Sequence, residues 1–410
     1  MMNKKLIPAY LLTFVNVLGF SILMPVLPFI VKDYGAPKWV FGLLLTLYST
    51  FQFIGAPVLG SLSDSAGRKP ILLISQFGTL LSWVIFLIAL SLPNFSAFGI
   101  AFPLIIIAFS RILDGITGGN ASVANAYVAD ITTRDEKAYV FGYLGGIAGI
   151  GMIIGPALGG LAASSPLGYS GTILASITIS VITLFTIYYW LKESHHEEHR
   201  APRQKQSLWK IINIPGRVRD IDPSPVVKVL FIVKLFFSSM MGFYIGTMAL
   251  FLIDLFKFDA SEMGIFFLVA GTFLAFNQAF LSKRFVQKFG EYQTLIIGLS
   301  LCMVGMVAIT LTINFYFFIG FYYILNLGLS LCFPTFNALI SIHANPEKLG
   351  AVMGISESIG SFAMALFPVI GALMYTQLGF ELYYIISGLP FIALILAVKA
   401  IRKLGTKAFE

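Results

Sequence analysis

Twelve long apolar runs constrain the fold of this 410-residue chain more than any other feature of its sequence. A helix needs about 20 apolar residues to cross the hydrocarbon of a bilayer, and a barrel strand needs about 10. Backbone groups in lipid are satisfied only in helices or closed barrels, and these runs are too long for barrel strands. The sequence therefore predicts an all-α membrane protein with twelve transmembrane helices, numbered spans 1 to 12. The runs cover residues 6–31, 38–61, 70–90, 97–127, 138–163, 169–191, 226–253, 261–282, 292–312, 314–341, 349–376 and 380–400.

The composition points to the lipid bilayer as the surroundings of the chain. It is 58% hydrophobic and only 11% charged, whereas a soluble domain is about 25% charged. The net charge of +8 does not indicate a nucleic-acid partner, because the basic residues lie between apolar runs rather than on a soluble domain. Cys302 and Cys332 fall inside apolar runs, which predicts buried thiols and neither a disulfide framework nor a metal site.

The charged stretch 192–225 divides the chain into two six-helix halves, residues 1–191 and 226–410. Gly67 after span 2 and Gly290 after span 8 occupy corresponding places, 223 positions apart. We therefore predict two pseudo-symmetric halves, an arrangement in which many carriers hold their substrate near the middle of the membrane.

The linker 192–225 carries two further signals. Residues 207–214 place apolar side chains at helical spacing, which predicts a short helix lying on the membrane surface. His195 and His199 would share one face of a helix and could bind a metal ion. A solvated linker without a metal is the simpler interpretation, and it is the one adopted.

Lys and Arg residues are distributed asymmetrically about the membrane. With the N-terminus inside, 22 of the 27 basic residues fall on the cytoplasmic side, 3 lie outside and 2 lie within spans. Cytoplasmic loops of membrane proteins carry such an excess. We therefore expect a multi-pass protein of a cell (inner) membrane with both termini and the linker in the cytoplasm.

The turn between spans 2 and 3 reads Gly60-Ser-Leu-Ser-Asp64-Ser-Ala-Gly67-Arg68-Lys69. It resembles the signature cytoplasmic loop of the major facilitator superfamily, Gly-x-Leu-x-Asp-x-x-Gly-Arg-Lys. A glycine permits the tight turn. The resemblance implies a twelve-helix transporter in which the Asp and Arg of this loop form a charge cluster with an acid at the end of span 4 and latch one facing state. The residues concerned are Gly60, Asp64, Gly67, Arg68 and Lys69, with Asp130 as the acid of span 4.

Span 5 resembles the motif that marks antiporters within the same superfamily. The pattern Gly-x8-Gly-x3-Gly-Pro-x2-Gly-Gly is met at every position. Glycines allow another helix to approach closely, and a proline bends the helix. The resemblance implies exchange transport. The matching residues are Gly142, Gly151, Gly155, Pro156, Gly159 and Gly160.

Span 1 narrows the resemblance to the drug-efflux branch that includes tetracycline exporters. Its Met24-Pro-Val-Leu-Pro28 segment is similar to that branch, as is Ala126-Tyr-Val-Ala-Asp-Ile-Thr after span 4. Members of the branch often carry an Asp several residues before the first segment, where this chain has Asn16. Asparagine does not titrate, so proton coupling would need another acid.

Four charged residues lie well inside the predicted spans, away from the span ends, where charges normally mark functional sites. Arg111 in span 4 lies roughly 20 Å deep at 1.5 Å per residue, and Asp114 follows it by one turn. The superfamily resemblance implies a role for this Arg in proton coupling or substrate binding, with a purely structural pair as the alternative. Lys234 in span 7 and Glu357 in span 11 lie at similar depth. The superfamily resemblance implies that spans 7 and 11 are neighbours, so the two residues are predicted to form an ion pair, with snorkelling of Lys234 to the headgroups as the alternative.

These features favour a secondary active transporter that exports small amphipathic drugs or metabolites by alternating access in exchange for protons. Asp114 is the first candidate for the coupling carboxyl. Gln52 and Asn326 either line the substrate cavity or join helices. An uptake carrier or facilitator without proton coupling is the alternative that Asn16 favours.

A membrane enzyme or lipid-handling protein is less favoured, because no His or Cys accompanies the buried charges. The sequence has no phosphate-binding loop, which argues for a proton gradient rather than ATP as the energy source. We expect a monomer that binds a small molecule, with no cofactor, no metal and no enzymatic activity.

Overall fold

A computed structural model describes residues 6–97, 100–133, 136–195, 213–345 and 348–407. Within these ranges the protein is α-helical, and the predicted twelve spans are confirmed. In the first half, the helices are Ile7–Ser21 and Leu27–Asp33 (span 1), Trp39–Ala66 (span 2), Arg68–Ser91 (span 3), Phe102–Gly118 and Ala121–Ile131 (span 4), Lys137–Ala163 (span 5) and Gly168–Trp190 (span 6).

The second half begins after a short linker helix, Ile214–Ile221. Its helices are Pro225–Phe256 (span 7), Ala260–Phe276 (span 8), Lys283–Ala308 (end of span 8 and span 9), Phe315–His343 (span 10), Leu349–Leu378 (span 11) and Leu382–Lys407 (span 12). Span 8 contains a π-helical segment, Asn277–Ser282, and a 3-10 turn, Gly379–Glu381, precedes span 12.

Length and hydropathy alone pick out nine candidate membrane helices in the described part of the chain. Two of the nine run together as Ala260–Ala308 and Leu349–Lys399, and each contains two spans. Gly290 has φ 76° and ψ 167° and separates spans 8 and 9, while Gly379 with φ 55° separates spans 11 and 12. The remaining helix, Ile7–Ser21, is apolar but only 15 residues long.

Two spans predicted as continuous runs are broken in the structure. Span 1 unwinds between Ser21 and Leu27, where Pro25 cannot donate a backbone hydrogen bond to the preceding turn. Span 4 breaks at Gly119 and Asn120, where the glycine weakens the helix. Span 4 also starts at Phe102, five residues later than predicted, because Ser96–Ala97 and Ile100–Ala101 pair as a two-residue antiparallel ladder.

The linker helix Ile214–Ile221 is capped at its start by Asn213, whose side chain accepts a hydrogen bond from the Gly216 backbone N–H at 2.9 Å. Arg217 donates to the Ser358 hydroxyl of span 11 at 2.9 Å. The surface helix predicted over residues 207–214 lies almost wholly outside the described residues and stays a prediction.

Contacts group the helices into two compact units. One takes in the described residues of Met1–Ile211 together with Phe258–Leu268, and the other those of Ile212–Lys257 and Val269–Glu410. In the first, span 1 packs on span 5, and span 4 packs on spans 2 and 3; in the second, spans 7 and 11 pack together, as do spans 9 and 10. The domain boundaries predicted at 191 and 226 stay a prediction.

Candidate functional site

Span 4 brings together two opposite charges in the interior of the first unit. Arg111 and Asp114 are separated by one helical turn, and the Arg111 Nη1 atom donates to Asp114 Oδ2 at 3.0 Å. Both residues are buried, with 2% and 4% of their surface exposed. The predicted Arg–Asp pair is therefore present in the structure.

The ion pair with Asp114 does not use all the hydrogen-bond donors of the Arg111 guanidinium. Its carbon lies 4.6 Å from the Trp83 ring centroid and 5.3 Å from that of Phe86, distances at which aromatic rings attract a cation. Within the described part of the chain, the Nε and Nη2 atoms of Arg111 are buried without a hydrogen-bond partner. A buried donor left unpaired costs about 1–3 kcal/mol, so an acceptor oxygen placed beside these two atoms would be stabilised.

Gln52 joins this region from span 2. Its side-chain nitrogen donates to the Tyr48 hydroxyl at 3.1 Å and to the Gly118 carbonyl at 3.3 Å. The close approach of the two spans depends on Gly115 and Gly119, because a Cβ at either position would overlap the backbone of span 2. Gln52 therefore bridges the two spans beside the charge pair.

Asn16 takes part in a separate polar chain. Its amide nitrogen donates to Asn120 Oδ1 at 2.6 Å, and the Asn120 amide donates in turn to the Ser75 hydroxyl at 3.0 Å. Asn120 is fully buried at the break in span 4. A neutral amide thus stands at the predicted span 1 position and links spans 1, 3 and 4.

The predicted charge cluster of the loop between spans 2 and 3 is assembled in the structure. Arg68 donates through Nη1 to Asp64 at 2.5 Å and through Nε to Asp130 at 3.0 Å. Gly67 has φ 99° and ψ 156°, a region accessible essentially only to glycine. Lys69 points away from these acids and donates to the Tyr188 carbonyl at 2.8 Å. Gly60 packs near the Ser122 hydroxyl.

Glu193, which follows span 6, completes this cluster and was not identified from the sequence. Its carboxylate accepts from the backbone N–H groups of Arg68 and Lys69 at 2.8 and 3.1 Å, so it caps the start of span 3. Ser194 and His195 donate their backbone N–H groups to it as well. Burial opposes ionisation of Glu193, but these four donors outweigh it and lower the pKa of the carboxyl.

The span 5 glycines form a contact surface. A Cβ at Gly151, Gly155 or Gly159 would meet span 1 at Phe14, Ser21 or Ile22. Gly160 packs on Gly264 in the same way, close to Pro156. The backbone of Gly142 is helical, but its side-chain surroundings fall outside the described residues. The motif therefore allows span 5 to approach its neighbours closely.

Spans 7 and 11 bring a second pair of opposite charges together. The Lys234 ammonium donates to Glu357 Oε1 at 3.1 Å and to the Ser356 hydroxyl at 2.7 Å. The Lys234 side chain is 11% exposed and that of Glu357 is 69% exposed. The ion pair predicted from the sequence is present, and its acid faces open space.

Asn326 joins helices rather than exposing its amide. It is buried, and its nitrogen donates to the Ala270 carbonyl of span 8 at 2.9 Å. Asn277, at the start of the π-helical segment, accepts from the Tyr323 hydroxyl at 2.9 Å. This favours the helix-joining interpretation of Asn326 over the cavity-lining one.

The His cluster of the linker lies mainly outside the described residues, which include only His195. Among the residues that the structure describes, no group of three or more His, Cys, Asp or Glu side chains is arranged to hold a metal ion.

Several residues that contact the candidate site were not predicted from the sequence. Trp83, Tyr48 and Asn120 have no distinguishing sequence pattern around them, and only the packing shows that they contact the candidate residues Arg111, Gln52 and Asn16. Glu193 gave one usable signal, an acid directly after a predicted span.

Comparisons with known proteins agree with this architecture. The sequence profile of the Major Facilitator Superfamily matches residues 9–368, with an overlapping match over 279–407. The tetracycline resistance protein of class H from Pasteurella multocida is 28% identical, over 92% of this chain and 90% of that protein.

Solved structures show the same fold. The human organic anion transporter MFSD10 superimposes with a TM-score of 0.72 at 21% identity, over 96% of this chain and 99% of that one. A bacterial homologue of the human lysosomal transporter Spinster, in an inward-facing and occupied conformation, gives 0.77 at 13% identity, over 97% and 96% of the chains. These proteins are multi-pass membrane transporters and not enzymes. The family profile spans most of the chain, which therefore belongs to the Major Facilitator Superfamily.

Proposed function

We propose that this protein exports small amphipathic drugs or metabolites across a cytoplasmic membrane in exchange for protons. The observation that carries the proposal is the Arg111 site, where a buried guanidinium binds Asp114 and keeps two donors without a partner in the described part of the chain. The match to a tetracycline resistance protein and the glycine surface of span 5 support export by exchange.

The charge pair offers a physical basis for exchange. Desolvation favours the neutral form of Asp114, while Arg111 favours its carboxylate. A substrate oxygen that engages the free Nε and Nη2 donors competes for the same guanidinium and weakens its hold on Asp114. Binding of substrate and binding of a proton are then linked through one side chain.

Transport in vesicles tests this proposal. Wild-type protein should accumulate a tetracycline or another amphipathic amine against its gradient only when a pH gradient is imposed. Asp114→Asn should lose this uphill accumulation and retain downhill exchange. Uphill transport by the variant would remove Asp114 as the coupling site, and indifference of the wild type to pH would remove proton exchange.

The alternative is a carrier of organic anions that does not use protons. Two observations favour it: Asn16 is a neutral amide bound to Asn120, and Arg111 offers free donors to an anion. MFSD10, which has the same fold, is named an organic anion transporter. Uptake of an aromatic carboxylate that is independent of a pH gradient would favour this function.

We further propose that both termini and the linker face the cytoplasm and that the protein works as a monomer. In intact cells, a cysteine introduced in place of Ser194 should resist a membrane-impermeant thiol reagent and react after permeabilisation. Efficient labelling before permeabilisation would reverse the orientation.

A further inference from the structure

Spans 3 and 6 enclose an apolar groove on the surface of the first unit. Its volume is about 490 Å³. Five of its side chains are more than half exposed, although they are large and apolar or aromatic. Such a surface requires an apolar occupant. The lining residues are Leu73, Ile74, Phe77, Leu184, Phe185, Tyr188 and Tyr189.

One end of the groove carries positive charge. The Lys69 ammonium donates to the Tyr188 carbonyl at 2.8 Å and lies 5.9 Å from the Tyr188 ring centroid. Both of these partners are uncharged, and among the described residues no carboxylate pairs with Lys69. Lys192, two residues after the end of span 6, is also exposed.

The aromatic residues at the same end form a shelf. Tyr188 meets Tyr189 edge to face with ring centroids 4.9 Å apart, and Phe185 stacks on Tyr189 at 6.2 Å. Trp190, which ends span 6, is 65% exposed. Tyr and Trp concentrate where membrane hydrocarbon meets the headgroups. The shelf therefore places the Lys69 end of the groove at headgroup level.

We propose that this groove is a binding site for one anionic phospholipid, with an acyl chain between spans 3 and 6 and the phosphate at Lys69. Basic pockets between transmembrane helices bind anionic headgroups in this way. The long apolar lining excludes a free phosphate as sole occupant, and the lysine distinguishes the site from ordinary lipid-facing surface.

The site touches the loop that latches the transporter. Lys69 follows Arg68 directly, and its backbone N–H is held by Glu193. A phosphate that draws the Lys69 ammonium from the Tyr188 carbonyl would act on the first turn of span 3.

Native mass spectrometry of the full-length protein tests the proposal. Phosphatidylglycerol should be retained about fivefold better than phosphatidylcholine with the same acyl chains, the effect of one lysine near an anionic lipid. Lys69→Gln should abolish this preference. Leu184→Trp, which fills the groove, should lower retention of both lipids. Lys283→Gln, at an exposed lysine of the other unit, is the matched control and should change neither.

Equal retention of the two lipids, or a preference that survives Lys69→Gln, would overturn the assignment. So would displacement of phosphatidylglycerol by glycerol phosphate alone, because the acyl chain would then be irrelevant. A dimer that Leu184→Trp dissociates would identify a second copy of the chain as the occupant instead.

Discussion

The two halves of the protein hold their membrane charges in opposite ways. In the first half, the paired side chains of Arg111 and Asp114 are only 3% and 5% exposed. In the second half, Lys234 is 11% exposed but Glu357 is 69% exposed. A carboxyl closed off from water can change protonation only when its site opens, whereas an exposed one exchanges protons freely. The Arg111–Asp114 pair therefore suits a protonation step that depends on opening of the site, whereas the Lys234–Glu357 pair does not require such an opening.

The two halves also differ at corresponding loops, the one that connects spans 2 and 3 and the one that connects spans 8 and 9. The two glycines have nearly the same backbone, φ 99° and ψ 156° at Gly67 and φ 76° and ψ 167° at Gly290. In the first half, Arg68 forms ion pairs with two carboxylates. In the second half, the Tyr292 hydroxyl hydrogen-bonds the His343 Nε2 atom at 2.8 Å. The two loops therefore share their backbone geometry but are held by different side-chain interactions.

The largest effect on stability and transport is expected at the buried Arg111–Asp114 pair. Arg111→Met leaves the Asp114 carboxylate buried without its partner, which should cost about 3–5 kcal/mol and abolish transport. Adding Asp114→Leu should recover stability but not transport. Thermal unfolding of Arg111→Met, Asp114→Leu and the double variant measures the difference. A double variant as unstable as the sum of the single changes would show that the two charges are not coupled.

At the Lys234–Glu357 pair, the two single substitutions should differ in their effect on stability. Glu357→Gln removes the negative charge that pairs with the mostly buried Lys234 ammonium, so it should be the more harmful change. Lys234→Met leaves a carboxylate that is 69% exposed, and it should cost about 1 kcal/mol or less. The double variant should be more stable than Glu357→Gln alone. Strict additivity of the unfolding free energies would instead favour snorkelling of Lys234.

Substitutions in the two loops should have smaller effects, and these should appear in the transport rate. Arg68→Ala should slow transport about tenfold, since it removes two charged hydrogen bonds. Asp64→Asn should slow it less, because the Asp64 side chain is 51% exposed. Tyr292→Phe, which removes the hydrogen bond to His343 at the second-half loop, should leave the rate nearly unchanged. Membrane insertion, measured by fluorescence of a fused reporter, should be normal in all three. Equal rates for Arg68→Ala and wild type would remove the latch assignment.

The sequence predicted those features that follow from spacing along one chain. The twelve spans come from apolar run length, and the Gly67–Gly290 offset correctly indicated a repeated turn. The Arg111–Asp114 pair follows from one helical turn of separation. The breaks in spans 1 and 4 were missed, although Pro25 and Gly119 were visible. Proline and glycine are tolerated inside many membrane helices, so their presence alone does not locate a break.

Features that depend on which helices meet could not be predicted from the residues alone. Trp83 faces Arg111 from span 3, and nothing in the local sequence distinguishes it from a lipid-facing Trp. Asn16 was identified as a departure from an acidic pattern, but its bond to Asn120 required the packing of spans 1 and 4. The Lys234–Glu357 pair was predicted because the superfamily resemblance placed spans 7 and 11 side by side.

The smallest effect concerns Glu193, which fastens the first-half loop to the end of span 6. Its pKa is lowered in the folded protein because four backbone N–H groups donate to its carboxylate. A lowered pKa means that the carboxylate stabilises the fold above its unfolded pKa of about 4.3 and that this contribution is lost as the pH falls through the folded value.

Thermal unfolding of Glu193→Gln should therefore show its largest loss of stability relative to wild type near pH 7 and converge on wild type in acid. Glu381→Gln, at an exposed carboxyl in the second half, is the matched control and should leave stability unchanged at pH 7. If the Glu193→Gln deficit were the same at pH 7 and pH 3, the side chain would act through packing rather than charge. The charge-based contrast between the two loops would then rest on Arg68.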